Sequence, residues 1–148
     1  MLRALWDIKN VLLSFFSRKT MGARALVIQD GKILLVKHTY TPGWYTIGGG
    51  VDKGESPLQA LRRELQEEAG VTPTQTPTLF GFYHNKRHKR DDYVALYLCK
   101  DFTKKDVKSR EILDAQWFSL DTLPPDMSPG TKRRLDEYLG RGPLSDVW

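Results

Sequence analysis

Three glutamates, Glu64, Glu67 and Glu68, fall at spacings of three and four in a chain of 148 residues, downstream of the run Gly48-Gly49-Gly50. On a helix, residues three and four apart share a face, so the spacing predicts a stripe of carboxylates. Like charges that close repel, at a cost similar to the few tenths of a kcal/mol (~0.3) that an opposite pair gains. Hard divalent cations want clustered oxygen ligands, and Mg²⁺ takes one or two carboxylates together with substrate phosphate oxygens. A bound cation would therefore relieve the repulsion. The glycines allow close backbone approach to a ligand, or offer a carbonyl to a metal. For the glutamates alone, a solvated face neutralised by Arg62 and Arg63 is the preferred reading. The glycine run and the spacing around it turn the reading toward a metal site.

The elements that must position these groups are marked in the sequence. Ser56 is an N-cap, Pro57 suits the first helical position and Gln59 completes a capping box, while Gly70 supplies a left-handed C-terminal residue. A helix over 57–69 follows. Its leucines, Leu58, Leu61 and Leu65, form a second stripe about a quarter-turn from the glutamates, roughly 100° per residue being the helical step. The leucines are expected to bury against a sheet, with the carboxylates along the edge of that contact. Residues 23–29 and 32–38 read as strands joined by a tight turn at Asp30-Gly31. A short strand over 44–47, a pair at 78–87 and 92–100, and a strand at 115–118 follow. Ser128-Pro129 opens a helix through about Leu139. The fold class is α/β: a mixed sheet sandwiched by helices.

Residues 2–17 also read as a helix, with Leu5, Ile8, Leu12 and Phe15 or Phe16 at helical spacing. Packing on its own domain is preferred to a membrane-surface or dimerisation role, and a homodimer stays open. Residues 1–20 are thus an N-terminal helical extension and 21–148 a single domain. Apolar residues make up 40% and charged residues 28%, a globular rather than disordered composition. No apolar run approaches the ~18 residues of a membrane span. Asp7 and Lys9 precede the apolar stretch Val11–Phe16 and no small-residue cleavage site follows, so secretion is not expected. The lone cysteine, Cys99, excludes an internal disulfide and fits a reducing, cytoplasmic setting. A net charge of +5 admits an anionic substrate or nucleic acid.

Residues 48–71 resemble the signature of the Nudix (MutT-like) hydrolases: Gly, five residues, Glu, seven residues, then Arg-Glu-aliphatic-any-Glu-Glu-any-Gly-aliphatic. Gly49, Glu55, Arg63, Glu64, Leu65, Glu67, Glu68, Gly70 and Val71 fill every fixed position. A looser likeness extends over 21–140. One departure is Ile47, where many members carry proline. The resemblance implies an α/β/α sandwich with a mixed central sheet, and hydrolysis, with Mg²⁺ or Mn²⁺, of a nucleoside diphosphate linked to another group. It implies that Glu64, Glu67 and Glu68 bind the metal, with the Gly48 carbonyl as a further ligand. Arg63 would orient a neighbouring glutamate and Glu55 would support the loop. Glu68 is the preferred proton acceptor; Glu111 is the candidate for the later-loop glutamate that some members use, a surface carboxylate being its alternative.

The remaining candidates carry weaker signals. Tyr40 and Trp44 could stack on a base, although core packing is preferred for Trp44, and Gly49 and Gly50 would let a substrate approach the backbone. His38, His84 and His88 share no metal-ligand spacing and read as ordinary polar residues. The run Lys86-Arg87-His88-Lys89-Arg90 reads as a solvated hairpin tip before it reads as an RNA contact. The expected partner is thus a nucleotide-type small molecule, with nucleic acid not favoured. RNA 5′-pyrophosphate removal is the alternative activity, and a non-catalytic nucleotide-binding regulator the alternative class. The proline of the ADP-ribose class and the coenzyme A-type pattern are both absent.

Overall fold

In a computed structural model, residues 19–87 and 90–148 can be described. The N-terminal stretch read as a helix and the centre of the basic run lie outside them. Strand β1, Lys19–Gln29, turns at Asp30-Gly31 into β2, Lys32–His38. Both turn residues have positive φ, 51° and 69°, as the short connection requires. Strand β3, Ile47–Gly50, leads to helix α1, Pro57–Ala69. Then follow β4 (Val71–Pro73), β5 (Thr78–Arg87), β6 (Arg90–Cys99), β7 (Phe102–Lys104), β8 (Ile112–Ser119) and helix α2 (Pro129–Tyr138).

The main sheet runs β5-β6-β1-β2-β8, with β3 alongside β1. It is mixed: β1 pairs parallel with β6, from Lys19↔Asp91 to Val27↔Cys99, and antiparallel with β2 and β3. The β2 and β3 pairings divide one edge of β1, β2 taking Val27–Gln29 and β3 taking Gly22–Ala25. The strand alternation sorts side chains to two cores. Ala23, Ala25 and Val27 pack with Leu61 and Leu65 of α1, whereas Leu26 and Ile28 pack with Leu135 of α2. Trp117 and Phe118, adjacent on β8, divide between the same two cores. The expected sandwich is present.

Helix α1 begins and ends where its sequence says. Ser56 Oγ accepts from Gln59 N–H and the Gln59 side chain accepts from Ser56 N–H, closing the capping box; Gly70 is left-handed at φ 63°. Several element limits differ from the sequence reading, β8 for one running over Ile112–Ser119 rather than 115–118. β3 occupies Ile47–Gly50 rather than 44–47, because its antiparallel register with Gly22–Ala25 holds the glycines extended; Trp44 and Tyr45 make only isolated bridges. β1 takes in Lys19 and Thr20, which the sequence assigned to the extension. The pair β4–β7 is additional. Among the described residues, no helix is long and apolar enough to cross a membrane.

Helix α2 is anchored by a buried cation. Arg134, 1% exposed, pairs with Glu137 at 3.1 Å and lies over the Tyr83 ring at 4.1 Å. Tyr83 Oη donates to the other Glu137 oxygen at 2.8 Å. A buried charge paired and hydrogen-bonded on several sides avoids most of the penalty that an isolated one would carry.

Candidate active site

The stripe of carboxylates emerges on α1 where the helix meets β3. Glu68 is the innermost. Its side chain is 5% exposed, and the Gly48 N–H donates to its Oε2 at 3.0 Å, joining strand to helix. Burial pushes the Glu68 carboxyl up to about 7, the charges of Glu64 and Glu111 adding to this against the Gly48 N–H and Arg24. Glu64, one turn earlier, is also pushed up, chiefly by burial. These two carboxylates are held close in poor solvation, an arrangement that a cation would relieve.

Arg63 organises the outer part. Its Nε and Nη2 donate to the two Glu55 oxygens at 2.8 and 2.9 Å, its Nη1 to Glu64 Oε1 at 2.7 Å, and its Nη2 also to the Gly50 carbonyl at 3.1 Å. One guanidinium thus ties the glycine loop, the turn before the helix and a cleft carboxylate. Such a planar, forked geometry is beyond a lysine. The Arg63 hydrogen bonds hold the Glu55 carboxyl well down, at about 2, with the Asp52 N–H helping. Glu67 lies at the rim, 58% exposed and 3.5 Å from Arg63.

A cleft of about 340 Å³ opens above these groups, its wall including Thr20, Gly22, Arg24, Tyr40, Gly48, Gly49, Gly50, Glu64, Glu68, Asp92, Val94 and Glu111. The structure therefore brings together Glu64, Glu68, Glu111, Tyr40 and the three glycines, from positions up to the start of β8. Glu111 is tied to β2 through its carbonyl, which accepts from Thr39 N–H at 2.9 Å. Two candidates do not join them, Trp44 because it takes the core position preferred for it and Glu67 because it is exposed. Trp44 lies in the second core, 5% exposed and edge-on to Phe118 at 4.7 Å, because the chain after Gly43 turns its ring toward α2. Glu67 points to the rim rather than the cleft wall.

Other residues belong to the site although no motif marks them. His38 was read as an ordinary polar residue; it is 6% exposed, packs on Tyr40 and Tyr45, and has Nδ1 4.0 Å from Glu68 Oε1. Burial lowers its pKa, favouring the neutral ring. Arg24 donates to the Thr46 carbonyl at 2.9 Å and lines the cleft. A single arginine inside Ala-Arg-Ala-Leu-Val-Ile was the available signal. Thr20 and Asp92 are joined across the β1–β6 ladder at 2.8 Å. Among the described residues, no three His, Cys, Asp or Glu side chains converge into a closed set of ligands.

The NUDIX domain family model matches residues 18–138. The chain belongs to the Nudix family. Among curated Nudix relatives, an NAD-capped RNA hydrolase NudC of Pseudomonas aeruginosa is 33% identical over 134 residues, 85% of this chain and 46% of that protein. The chain thus spans about half the length of that relative. An ADP-ribose pyrophosphatase of Methanocaldococcus jannaschii is 31% identical over 123 residues, covering 80% of this chain and 71% of that one. Among solved structures, a MutT NUDIX hydrolase from Burkholderia pseudomallei superposes with a TM-score of 0.70 at 28% identity, over 80% of this chain and 96% of the other. Just before the Nudix box, Ile47, which stands where many members have proline, is fully buried in the α1 core, so packing fixes the entry to the glycines here.

Proposed function

We propose that this cleft hydrolyses a pyrophosphate bond in a nucleoside diphosphate linked to another group, by attack of water at phosphorus, with Mg²⁺ or Mn²⁺ bound at Glu64 and Glu68. The observation that carries the reading is the convergence of Glu64, Glu68 and Glu111 on one cleft, with the Glu68 carboxyl raised to about 7. A divalent cation would supply neutralisation of the polyanionic substrate and an activated water. Glu67 at the rim and the Gly48 carbonyl complete the proposed ligand set. Arg63 fixes Glu64 and the Gly50 carbonyl, so the carboxylate and the loop that approaches the phosphates keep one geometry. Tyr40, at the cleft wall and 70% exposed, has a face available to the nucleoside, and Gly49 and Gly50 leave the backbone open beside it. Glu68 or Glu111 takes the proton of the attacking water. The buried Cys99 thiol, pushed up to about 11, takes no part, and a lone unreactive thiol fits a cytoplasmic protein.

The test is a panel of nucleoside triphosphates, nucleotide sugars, dinucleotides and dinucleoside polyphosphates, assayed for phosphate, pyrophosphate or mononucleotide release. Protein stripped by chelator should be inactive on all of them and recover with Mg²⁺ or Mn²⁺. Turnover that persists without metal would remove the proposed mechanism.

A second reading, removal of pyrophosphate from RNA 5′ ends, is favoured by the basic sequence at 86–90 and by a relative named RNA pyrophosphohydrolase from Stenotrophomonas maltophilia, 37% identical over 54 residues, 36% of this chain and 26% of that protein. Serine at Lys86, Arg87, Lys89 and Arg90 should then flatten the salt dependence of RNA binding, since each phosphate contact releases counterions. An unchanged slope would leave the small-nucleotide reading alone.

A further inference from the structure

Strand β2 alternates between the two cores along its whole length. Leu34 and Val36 pack against α1, while Ile33 and Leu35 pack with Leu135 of α2. Lys37 continues the second set, its Nζ 4.8 Å from the centre of the Trp44 ring and 3.2 Å from Asp126. His38 therefore takes the next place in the row of Leu34 and Val36, on the α1 side. An aliphatic residue would fill that place with no polar atom to desolvate. Instead an imidazole lies there, 6% exposed, and among the described residues its Nδ1 is buried without a hydrogen-bond partner. Buried polar atoms in native proteins are nearly all paired, so an orphan beside a functional site asks for a use.

The direction of the ring is fixed from both flanks. Tyr40 lies against it with centroids 5.1 Å apart, Tyr45 meets it edge-on at 5.3 Å, and Thr41 Oγ1 holds Tyr45 Oη at 3.1 Å. The ladder with β8 slips at this point: Lys37 pairs with Asp114 and His38 with Ile112, so Leu113 is passed over. Such irregularities re-aim side chains next to functional sites. What the clasped ring faces is Glu68. Nδ1 stands 4.0 Å from Oε1, while the other carboxylate oxygen already accepts from Gly48 N–H at 3.0 Å. The gap exceeds hydrogen-bond range, roughly 2.7–3.2 Å for N–H···O, by less than about 1 Å.

We propose that His38 is a positioning residue for the metal site: its Nδ1–H is the donor reserved for Glu68 Oε1, and the contact closes as Glu68 turns to bind a divalent cation. This deepens the hydrolase reading and rests on it. Two donors then hold the carboxylate at both oxygens, Gly48 from β3 and His38 from the end of β2, and leave it one orientation toward the cleft. A neutral imidazole serves, since the carboxylate facing Nδ1 selects the tautomer that carries its proton there. Hydrogen-bonding partners that orient a metal-binding carboxylate are typically worth about ten- to a hundredfold in metal affinity.

The experiment adds Mn²⁺ alone to the chelator-stripped full chain and reads free Mn²⁺ by electron paramagnetic resonance, so no turnover is needed. Asparagine carries its amide nitrogen where Nδ1 stands, whereas glutamine carries it one bond further out and keeps more of the ring's volume. His38→Leu should raise the Mn²⁺ Kd about tenfold or more. His38→Asn should stay within about threefold of wild type, and His38→Gln should lose as much as His38→Leu. An unchanged Kd in His38→Leu overturns the proposal. So does His38→Asn binding no better than His38→Gln, which would make the ring a packing element. Should His38→Leu fail to fold, the comparison of His38→Asn with His38→Gln decides alone. Glu68→Gln separates this from failure of the metal site itself. If Glu68→Gln weakens Mn²⁺ binding and His38→Leu does not, only the role of His38 falls. If Glu68→Gln binds Mn²⁺ as wild type does, the assignment of Glu68 falls and takes this one with it. In the Glu68→Gln background His38→Leu should cost nothing more; a further loss of about tenfold would place the action of His38 elsewhere and overturn the proposal.

Discussion

Gly49 and Glu64 occupy one another's space: a Cβ on Gly49 would come within 2.6 Å of Glu64 Oε1 and 2.7 Å of its carboxyl carbon. The absent side chain is what lets the carboxylate reach both Arg63 and the cleft. The obstacle to a methyl group is the end of a side chain, not backbone, so Gly49→Ala can fold by moving Glu64. The expected result is a kcat lowered about tenfold or more, as displacement of a positioned group by a fraction of an ångström to an ångström costs. Circular dichroism should match wild type. Full activity would mean that the position of Glu64 is unimportant.

Replacing Glu64 or Glu68 with glutamine keeps the volume and removes the charge. Each change should lower kcat by about 10² or more at saturating metal, as the loss of a principal electrostatic group does. Metal-free stability should rise in Glu68→Gln, since burial disfavours that carboxylate more than the Gly48 N–H and Arg24 favour it. Glu111→Gln sorts the proton acceptor: a loss comparable to Glu68→Gln assigns the role to Glu111, and a loss below ~10-fold leaves it with Glu68. If both box variants keep near-full turnover on the best substrate, the active-site assignment is wrong.

The raised Glu68 carboxyl makes stability depend on pH. Between about 4.5 and 7 the unfolded state has released this proton while the folded state still holds it. The folded state then binds more protons, so the Glu68 contribution to stability falls as pH rises through that window. Thermal melts in chelator should show Glu68→Gln gaining on wild type from pH 4.5 to pH 7, by up to about 3 kcal/mol. Metal should reverse the trend, because it binds the ionised carboxylate. A constant difference between the two proteins would count against the buried, protonated Glu68. Glu55 acts in the opposite sense, its stabilising contribution fading as pH falls from 4.5 toward 2.

Arg63→Lys tests the fork. Lysine keeps the charge, but it cannot bond both Glu55 oxygens, Glu64 and the Gly50 carbonyl in one plane. The expected outcome is a loss of about tenfold to 10² in kcat/KM with the protein still folded. A lysine enzyme with wild-type kinetics would reduce Arg63 to a surface charge.

The helix and its carboxylates were legible because every cue was local. Ser56, Pro57, Gln59 and Gly70 act within a turn of themselves, and the Asp30-Gly31 hairpin is equally self-contained. The chain between Thr41 and Gly50 was harder. Glycine has little strand preference of its own, and only the pairing with Gly22–Ala25 makes β3 a strand. Strands β4 and β7 have three residues each, too few for periodicity, and one contains Pro73. Core packing was the preferred place for Trp44, but which of the two cores it enters depends on how its ring turns. The cleft's far wall, with Arg24, Thr20 and Asp92, is assembled from strands whose spacing in sequence carries no motif.

The parallel pairing of β1 with β6 sets the order in which this protein can become whole. Helix α1 and the hairpin β1–β2 need contacts between near neighbours, whereas Thr20 meets Asp92 across 72 positions of chain. Closing a loop of that size is entropically slow to be rewarded, and non-local pairings of this kind dominate folding times. The carboxylate stripe is therefore drawn early and its opposing wall arrives late. During refolding, helical dichroism should return before the cleft can select a ligand.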